Sequence, residues 1–152
     1  MVQARCGFDS GGGTSGSDLL SQLGPTLLVN IGFDPAYQNN QKTAPAAGIT
    51  DIHALVDTGA SESCIDSLLA AQLNLPIVDR REISGVGGKH EVNMYLAQIH
   101  VPSLITTIYG VFAGVDLKAG GQVHLALIGR TFLRNFTMTY EGRTGTVTIS
   151  SD

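Results

Sequence analysis

Tryptophan is absent from the 152 residues, charged side chains make up only 14%, and nine lysines and arginines face thirteen acidic residues. Cations this few and this scattered offer no stripe for phosphates, which sets nucleic-acid binding aside. No apolar run approaches the roughly 20 residues that a membrane helix needs. The opening MVQARCGFDS lacks the apolar core of a secretory signal, so a soluble, cytoplasmic protein without a membrane partner is expected. Cysteine is nearly absent too. Cys6 and Cys64 stand far apart, Cys6 in a polar tail, and two free thiols in a reducing compartment are expected rather than a disulfide.

What the chain has in quantity is glycine, nineteen residues of it, beside 43% hydrophobic side chains. That balance suits one domain of strands and tight turns. Residues 1–24, with SGGGTSGS from Ser10 to Ser17, read as a flexible Gly/Ser-rich leader, and residues 25–152 as the domain proper. The leader is no phosphate loop, because the lysine required after its last glycine is missing.

From Pro25 onward the pattern is of strands broken by turns. Strands are expected at Thr26–Phe33, Ile49–Asp57, Val78–Val86, His90–Val101, Ile105–Ala113 and Val123–Ile128. An exposed insertion, Asp34–Gly48, separates the first two. The one clear helix is Asp66–Asn74, with Asp66 as N-cap and Pro76 beyond its end. A helical turn at Thr131–Asn135 precedes a hairpin, Thr137–Ile149, that turns between Glu141 and Gly145. Many short strands with one or two short helices describe an all-β, closed or partly closed barrel.

The chemistry concentrates where the second strand ends, at Ala54-Leu55-Val56-Asp57-Thr58-Gly59-Ala60. An apolar strand that delivers a carboxylate toward the interior and stops at a Thr-Gly turn needs a reason, since burying an unpaired charge costs several kcal/mol. Thr58 offers a hydroxyl to lock the turn, and Gly59 lets backbone approach the carboxylate. The bland reading of Asp57 as a turn cap stays open on this motif alone. Some seventy residues later Ala126-Leu127-Ile128-Gly129-Arg130 forms another apolar strand ending in glycine. Between the two lies a glycine cluster, Gly85-Val86-Gly87-Gly88. His53, His90, His100 and His124 show no metal-ligand spacing and read as surface or hairpin positions, so neither metal nor cofactor is expected. Cys64 reads as a small buried residue. Asn135-Phe136-Thr137 fits a glycosylation sequon that matters only in a secreted protein.

In this order the segments resemble the retropepsin-like aspartic protease family, over roughly Thr26 to Ile149. The resemblance implies a single-domain barrel subunit that acts as a homodimer, with Asp57 catalytic and Thr58, Gly59 and Ala60 shaping its loop. It further implies Gly85, Val86, Gly87 and Gly88 as a flap over a peptide substrate, and Ile128, Gly129 and Arg130 as the segment behind the loop. Viral members carry an acidic residue four positions after the catalytic Asp, where this chain has Ser61 followed by Glu62. Arg130 therefore pairs either with Glu62 or with backbone alone. The C-terminal hairpin is closer to the cellular and bacterial members, in which such strands build the dimer interface.

Only Asp57 stands in an Asp-Thr-Gly context, so the implied enzyme is an aspartic endopeptidase whose two Asp57 residues share one proton across a two-fold axis. Two rivals stand beside it. One is the same fold as a catalytically silent peptide-binding or dimerisation module. The other is a monomeric barrel for small apolar ligands.

Overall fold

The computed structural model describes residues 1–39, 43–85 and 87–151. Its strands are β1 Gln3–Arg5, β2 Thr26–Gly32, β3 Ile49–Val56, β4 Cys64–Asp66, β5 Ile77–Gly85, β6 Gly88–Val101, β7 Thr106–Val115, β8 Ala126–Ile128, β9 Thr137–Glu141 and β10 Thr146–Ser150. Three short helices accompany them: α1 Gly16–Leu23, α2 Ser67–Gln72 and α3 Arg130–Leu133. None of these helices is long and apolar enough to cross a membrane.

Strands pair in the circuit β2-β3-β8-β4-β7-β6, and β6 closes on β2 through Asn30↔His100, Ile31↔Ile99 and Gly32↔Gln98. The expected closed barrel is thus present, with β5 hanging outside it as the second arm of a long hairpin with β6. Alternate residues fill the interior. Val29, Ile31, Ala54, Ala97, Ile99, Val101 and Ile128 are completely buried, and each larger aliphatic side chain contributes about 1.5–3 kcal/mol when removed from water.

One topological feature positions everything that follows. β3 and β4 are consecutive in the chain yet do not pair, because β8 lies between them. β8 runs parallel to β3 (Ala54↔Ala126, Leu55↔Leu127, Val56↔Ile128) and antiparallel to β4 (Cys64↔Leu127, Ile65↔Ala126). The seven residues from Asp57 to Ser63 must therefore arch over the end of β8. β8 is shorter than the Val123–Ile128 expected, although Leu125 still donates to His53 O on β3 and accepts from Asp66 N–H on β4.

Residues 1–24 are not a flexible leader. β1 pairs with β10 at Gln3↔Ser150, Ala4↔Ile149 and Arg5↔Thr148, and Ala4, Cys6 and Leu20 are buried. The glycine-rich stretch makes a tight turn, with Gly11 and Thr14 bonded to each other, and Ser15 caps α1 by accepting from Asp18 N–H at 3.0 Å. Leu20 and Cys6 anchor a segment whose polar composition hides how few buried residues are needed to fix it. β1, β10 and β9 form a second sheet in that order.

The helix at Asp66 forms as expected. Asp66 Oδ2 accepts from Leu69 N–H at 3.2 Å, and Asn74 adopts the left-handed conformation (φ 53°) that ends it. Asp66 does more than cap. Buried at 2% exposure, its Oδ1 accepts from Leu117 and Lys118 N–H at 3.1 and 3.0 Å and ties the loop after β7 to α2. The insertion between β2 and β3 is exposed in its described parts and held by Asp34, whose carboxylate accepts from Ala36 and Ala46 N–H.

Candidate active site

β3 carries Ala54 and Val56 into the core and stops with Asp57, whose N–H donates to Ile128 O at 2.9 Å, extending the β3–β8 ladder by one bond. The chain then turns tightly. Gly59 N–H donates to Asp57 Oδ1 at 2.9 Å and Ala60 N–H to Asp57 O at 3.2 Å. One carboxylate oxygen is fixed by backbone, and the other makes no hydrogen bond among the described residues. Asp57 is half-buried at the barrel end, not sunk in the interior, and Thr58 and Gly59 are exposed. Among the described residues the Thr58 hydroxyl makes no hydrogen bond, and Thr58 contributes its carbonyl.

That carbonyl accepts from Arg130 Nη1 at 2.8 Å, while Arg130 Nη2 donates to Ser61 Oγ at 2.9 Å. Arg130 thus spans the loop from behind, in the fork geometry a lysine could not reproduce. Backbone reinforces it: Arg130 N–H donates to Ala60 O at 2.9 Å and Thr131 N–H to Ser61 O at 3.0 Å. Gly129 N–H donates to the buried Ser63 Oγ at 3.0 Å. Arg130 follows neither expectation, Glu62 or backbone alone: it binds the Thr58 carbonyl and the Ser61 hydroxyl, and among the described residues Glu62 accepts only from Thr131 Oγ1, at 3.4 Å. The lack of an acid at position 61 is met by a hydroxyl acceptor.

Gly129 is required by space. A Cβ there would sit 2.6 Å from both the carbonyl carbon and oxygen of Glu62 and 3.0 Å from Ala60 O. Ile128, Gly129 and Arg130 are therefore brought together with Asp57, Thr58, Gly59 and Ala60 in one interlocked unit. Ser61, noted in the sequence only as standing where viral members carry an acid, belongs to it as well, as does Ser63, which was not singled out. Their only signal was position, between the Asp-Thr-Gly turn and the next buried strand.

The glycine cluster lies at the tip of the β5–β6 hairpin, in register from Ile77↔Tyr95 to Gly85↔Gly88. Gly87 and Gly88 have φ of 94° and 107°, conformations that side chains with a Cβ resist. Val86 lies outside the described residues. Ion pairs Arg80–Glu91 and Lys89–Glu82 stitch the two arms on the exposed surface. No hydrogen bond joins this hairpin to the Asp57 loop among the described residues.

Five other aspartates have other work. Asp34 and Asp66 hold backbone, Asp79 pairs with Arg81, Asp116 accepts from Ser67 Oγ, and Asp9 pairs with Arg5. Both cysteines are free and buried, Cys6 against the expectation of a mobile tail, and burial pushes each thiol up to about 11. At neutral pH both stay protonated and unreactive. His124 also departs from expectation, being 2% exposed. Thr26 Oγ1, which donates to Gly24 O, accepts from His124 Nε2 at 2.8 Å. Burial, reinforced by the nearby His53, lowers the His124 pKa. Among the described residues no group of three His, Cys, Asp or Glu side chains is placed to hold a metal ion.

The closed all-β barrel expected from the sequence is thus present, with one strand threaded beneath the Asp-Thr-Gly turn. Among solved structures, EIAV protease complexed with the inhibitor HBY-793 is similar to this chain, with 21% identity over 72% of this chain and 85% of that one and a TM-score of 0.47. No family model matches the chain, and no curated protein matches it.

Proposed function

We propose that the protein is an aspartic endopeptidase assembled as a homodimer, in which Asp57 from each of two chains activates one water. The observation that carries this reading is a single half-exposed carboxylate, fixed on one oxygen and interlocked from behind by Gly129 and Arg130, at the surface of the chain. Each chain supplies one such group, so the pair requires a second copy. Two carboxylates around one water cannot both hold a charge cheaply, and together they keep one proton.

The chemistry then follows. The ionised member takes a proton from the water, whose oxygen attacks the peptide carbonyl carbon, while the protonated member gives its proton to the carbonyl oxygen. Collapse of the tetrahedral species breaks the C–N bond as the nitrogen takes a proton from one carboxyl and a hydroxyl of that species returns its proton to the other, leaving the pair with one proton. The β5–β6 hairpin is suited to serve as the flap over an extended substrate, with Gly85, Gly87 and Gly88 at its described tip. In the three-stranded sheet, assembly has two open strand edges to use among the described residues, β1 and β9, with Tyr140 on β9 exposed. β10 is the middle strand, and its Val147 and Ile149 belong to the chain's own core, so the pairing surface is β9 rather than the whole hairpin. A reducing compartment, the cytoplasm, suits two buried free thiols.

The test is turnover of a denatured protein by wild type and by Asp57→Asn, with chain concentration varied. Asp57→Asn is expected to lose turnover while unfolding at the wild-type urea midpoint. Activity per chain should fall on dilution through the dimer dissociation constant. Wild-type turnover by the variant would refute the role of Asp57. A wild-type chain that binds peptide and cleaves none would leave a silent peptide-binding module.

A further inference from the structure

β7 is covered on one side only. β6 pairs with it from Thr106 to Ala113, whereas β4 meets its other side only at Ala113, Gly114 and Val115. Among the described residues nothing pairs with the backbone of Thr106–Phe112 on that second side. Alternate residues of an antiparallel strand turn N–H and C=O away from their partner, so this stretch, on the order of 20 Å long, presents a row of unused donors and acceptors.

That edge does not face open solvent. It is one wall of a groove of about 500 Å³, with Phe132, Asn135 and Phe136 opposite and Glu62 and Ser63 also lining it. The Phe132 and Phe136 rings pack at 4.7 Å; Phe132 is itself buried, so the half-buried Phe136 supplies the aromatic surface of the far wall. Along β7, Phe112 is buried while Tyr109 and Val111 are 43% and 42% exposed. A strand laid on the edge would set every second side chain against Tyr109 and Val111, and the others toward the aromatic wall. Among the described residues that line the groove, Glu62 is the one carboxylate or cation, and its one hydrogen bond among them is the long one from Thr131.

We propose that this groove takes an extended segment of a second polypeptide by strand addition, with mid-sized apolar residues at alternate positions and a Lys or Arg at Glu62. The occupant is a peptide backbone because a row of donors and acceptors at strand spacing is matched by another strand and by little else. The charge of Glu62 selects the basic residue. The groove also touches the catalytic loop from behind: Ser63 holds Gly129, and Gly129 packs on the Glu62 carbonyl. A bound segment would therefore hold a polypeptide beside Asp57 without occupying the cleft in front of it. The proposal stands whether or not the chain cleaves peptides.

The test uses the full-length chain carrying Asp57→Asn, so that no turnover consumes the probe, and the peptide acetyl-Lys-Val-Thr-Val-Thr-Val-amide. Amide resonances of Thr106–Val111 should shift, and their hydrogen exchange should slow. N-methylation of alternate peptide nitrogens should weaken binding about 10-fold or more, a change of about 1.4 kcal/mol. Glu62→Gln should weaken this peptide roughly threefold, in line with an exposed ion pair, and leave a norleucine-for-lysine version unchanged. Shifts confined to the Asp57 loop and the glycine hairpin would overturn the proposal, as would indifference to N-methylation. Edge amides already protected in a manner that rises with chain concentration would also overturn it, since a second copy would then be the occupant.

Discussion

Replacing Gly129 with alanine adds one methyl group at the point where β8 passes beneath the Asp57 loop. The new Cβ would lie 2.6 Å from the carbonyl carbon and oxygen of Glu62 and 3.0 Å from Ala60 O, all backbone atoms. Comfortable contact for such atoms is about 3.5 Å, so the loop must retreat by roughly 1 Å. Overpacking of this kind costs about 1–3 kcal/mol. The retreat also stretches the bonds from Arg130 N–H to Ala60 O and from Thr131 N–H to Ser61 O, each worth about 1 kcal/mol. The sum is about 3–5 kcal/mol against a total stability on the order of 5–15 kcal/mol. Displacing a catalytic carboxylate by about 1 Å is expected to lower turnover about 100-fold. Urea unfolding and turnover of a denatured protein would be measured on Gly129→Ala beside Gly110→Ala, a position where a Cβ meets nothing within 4 Å. The control should change stability by less than about 0.5 kcal/mol. A Gly129→Ala chain with the control's midpoint and wild-type turnover would refute the interlocked-loop account.

Further expectations rest on single groups. Asp66→Ala strips acceptors from the N–H groups of Leu69, Leu117 and Lys118 in a buried setting and should cost about 3 kcal/mol in urea unfolding; a loss under about 1 kcal/mol would contradict that. The lowered His124 pKa means the unfolded chain binds a proton there more readily than the folded one. Stability should be fully present above the ordinary histidine value near 6.5 and decline as pH falls toward the lowered one. His124→Gln should flatten that acid limb, measured as urea midpoint against pH, and an unchanged limb would exclude His124 as its source. Gly88→Val, at φ 107°, should reduce peptide turnover far more than the thermal midpoint, and full turnover would show that the hairpin is no flap.

How much of this was legible beforehand depends on the range of the interaction. Asp57-Thr58-Gly59 could be read directly, since a turn that folds N–H groups back on the Asp57 carboxylate and carbonyl involves residues two and three apart. The α2 helix was equally plain, because Asp66 caps three residues ahead and Asn74 and Pro76 stop it locally. Alternation revealed β2, β3, β6 and β7 because one face of each is buried. The ordered N-terminal segment was missed because Ala4, Cys6 and Leu20 are spaced too irregularly to show a period, and because β1 finds its partner β10 at the opposite end of the chain. β4 is three residues long and carries no pattern. Composition and spacing alone determined an all-β chain, one Asp-Thr-Gly carboxylate and a glycine hairpin. Tertiary structure alone decided that β8 inserts between β3 and β4, that Arg130 grips Thr58 and Ser61 rather than Glu62, and that one edge of β7 lines a groove. Those outcomes turn on which strands and acceptors compete for the same place in space, and a one-dimensional pattern does not hold that competition.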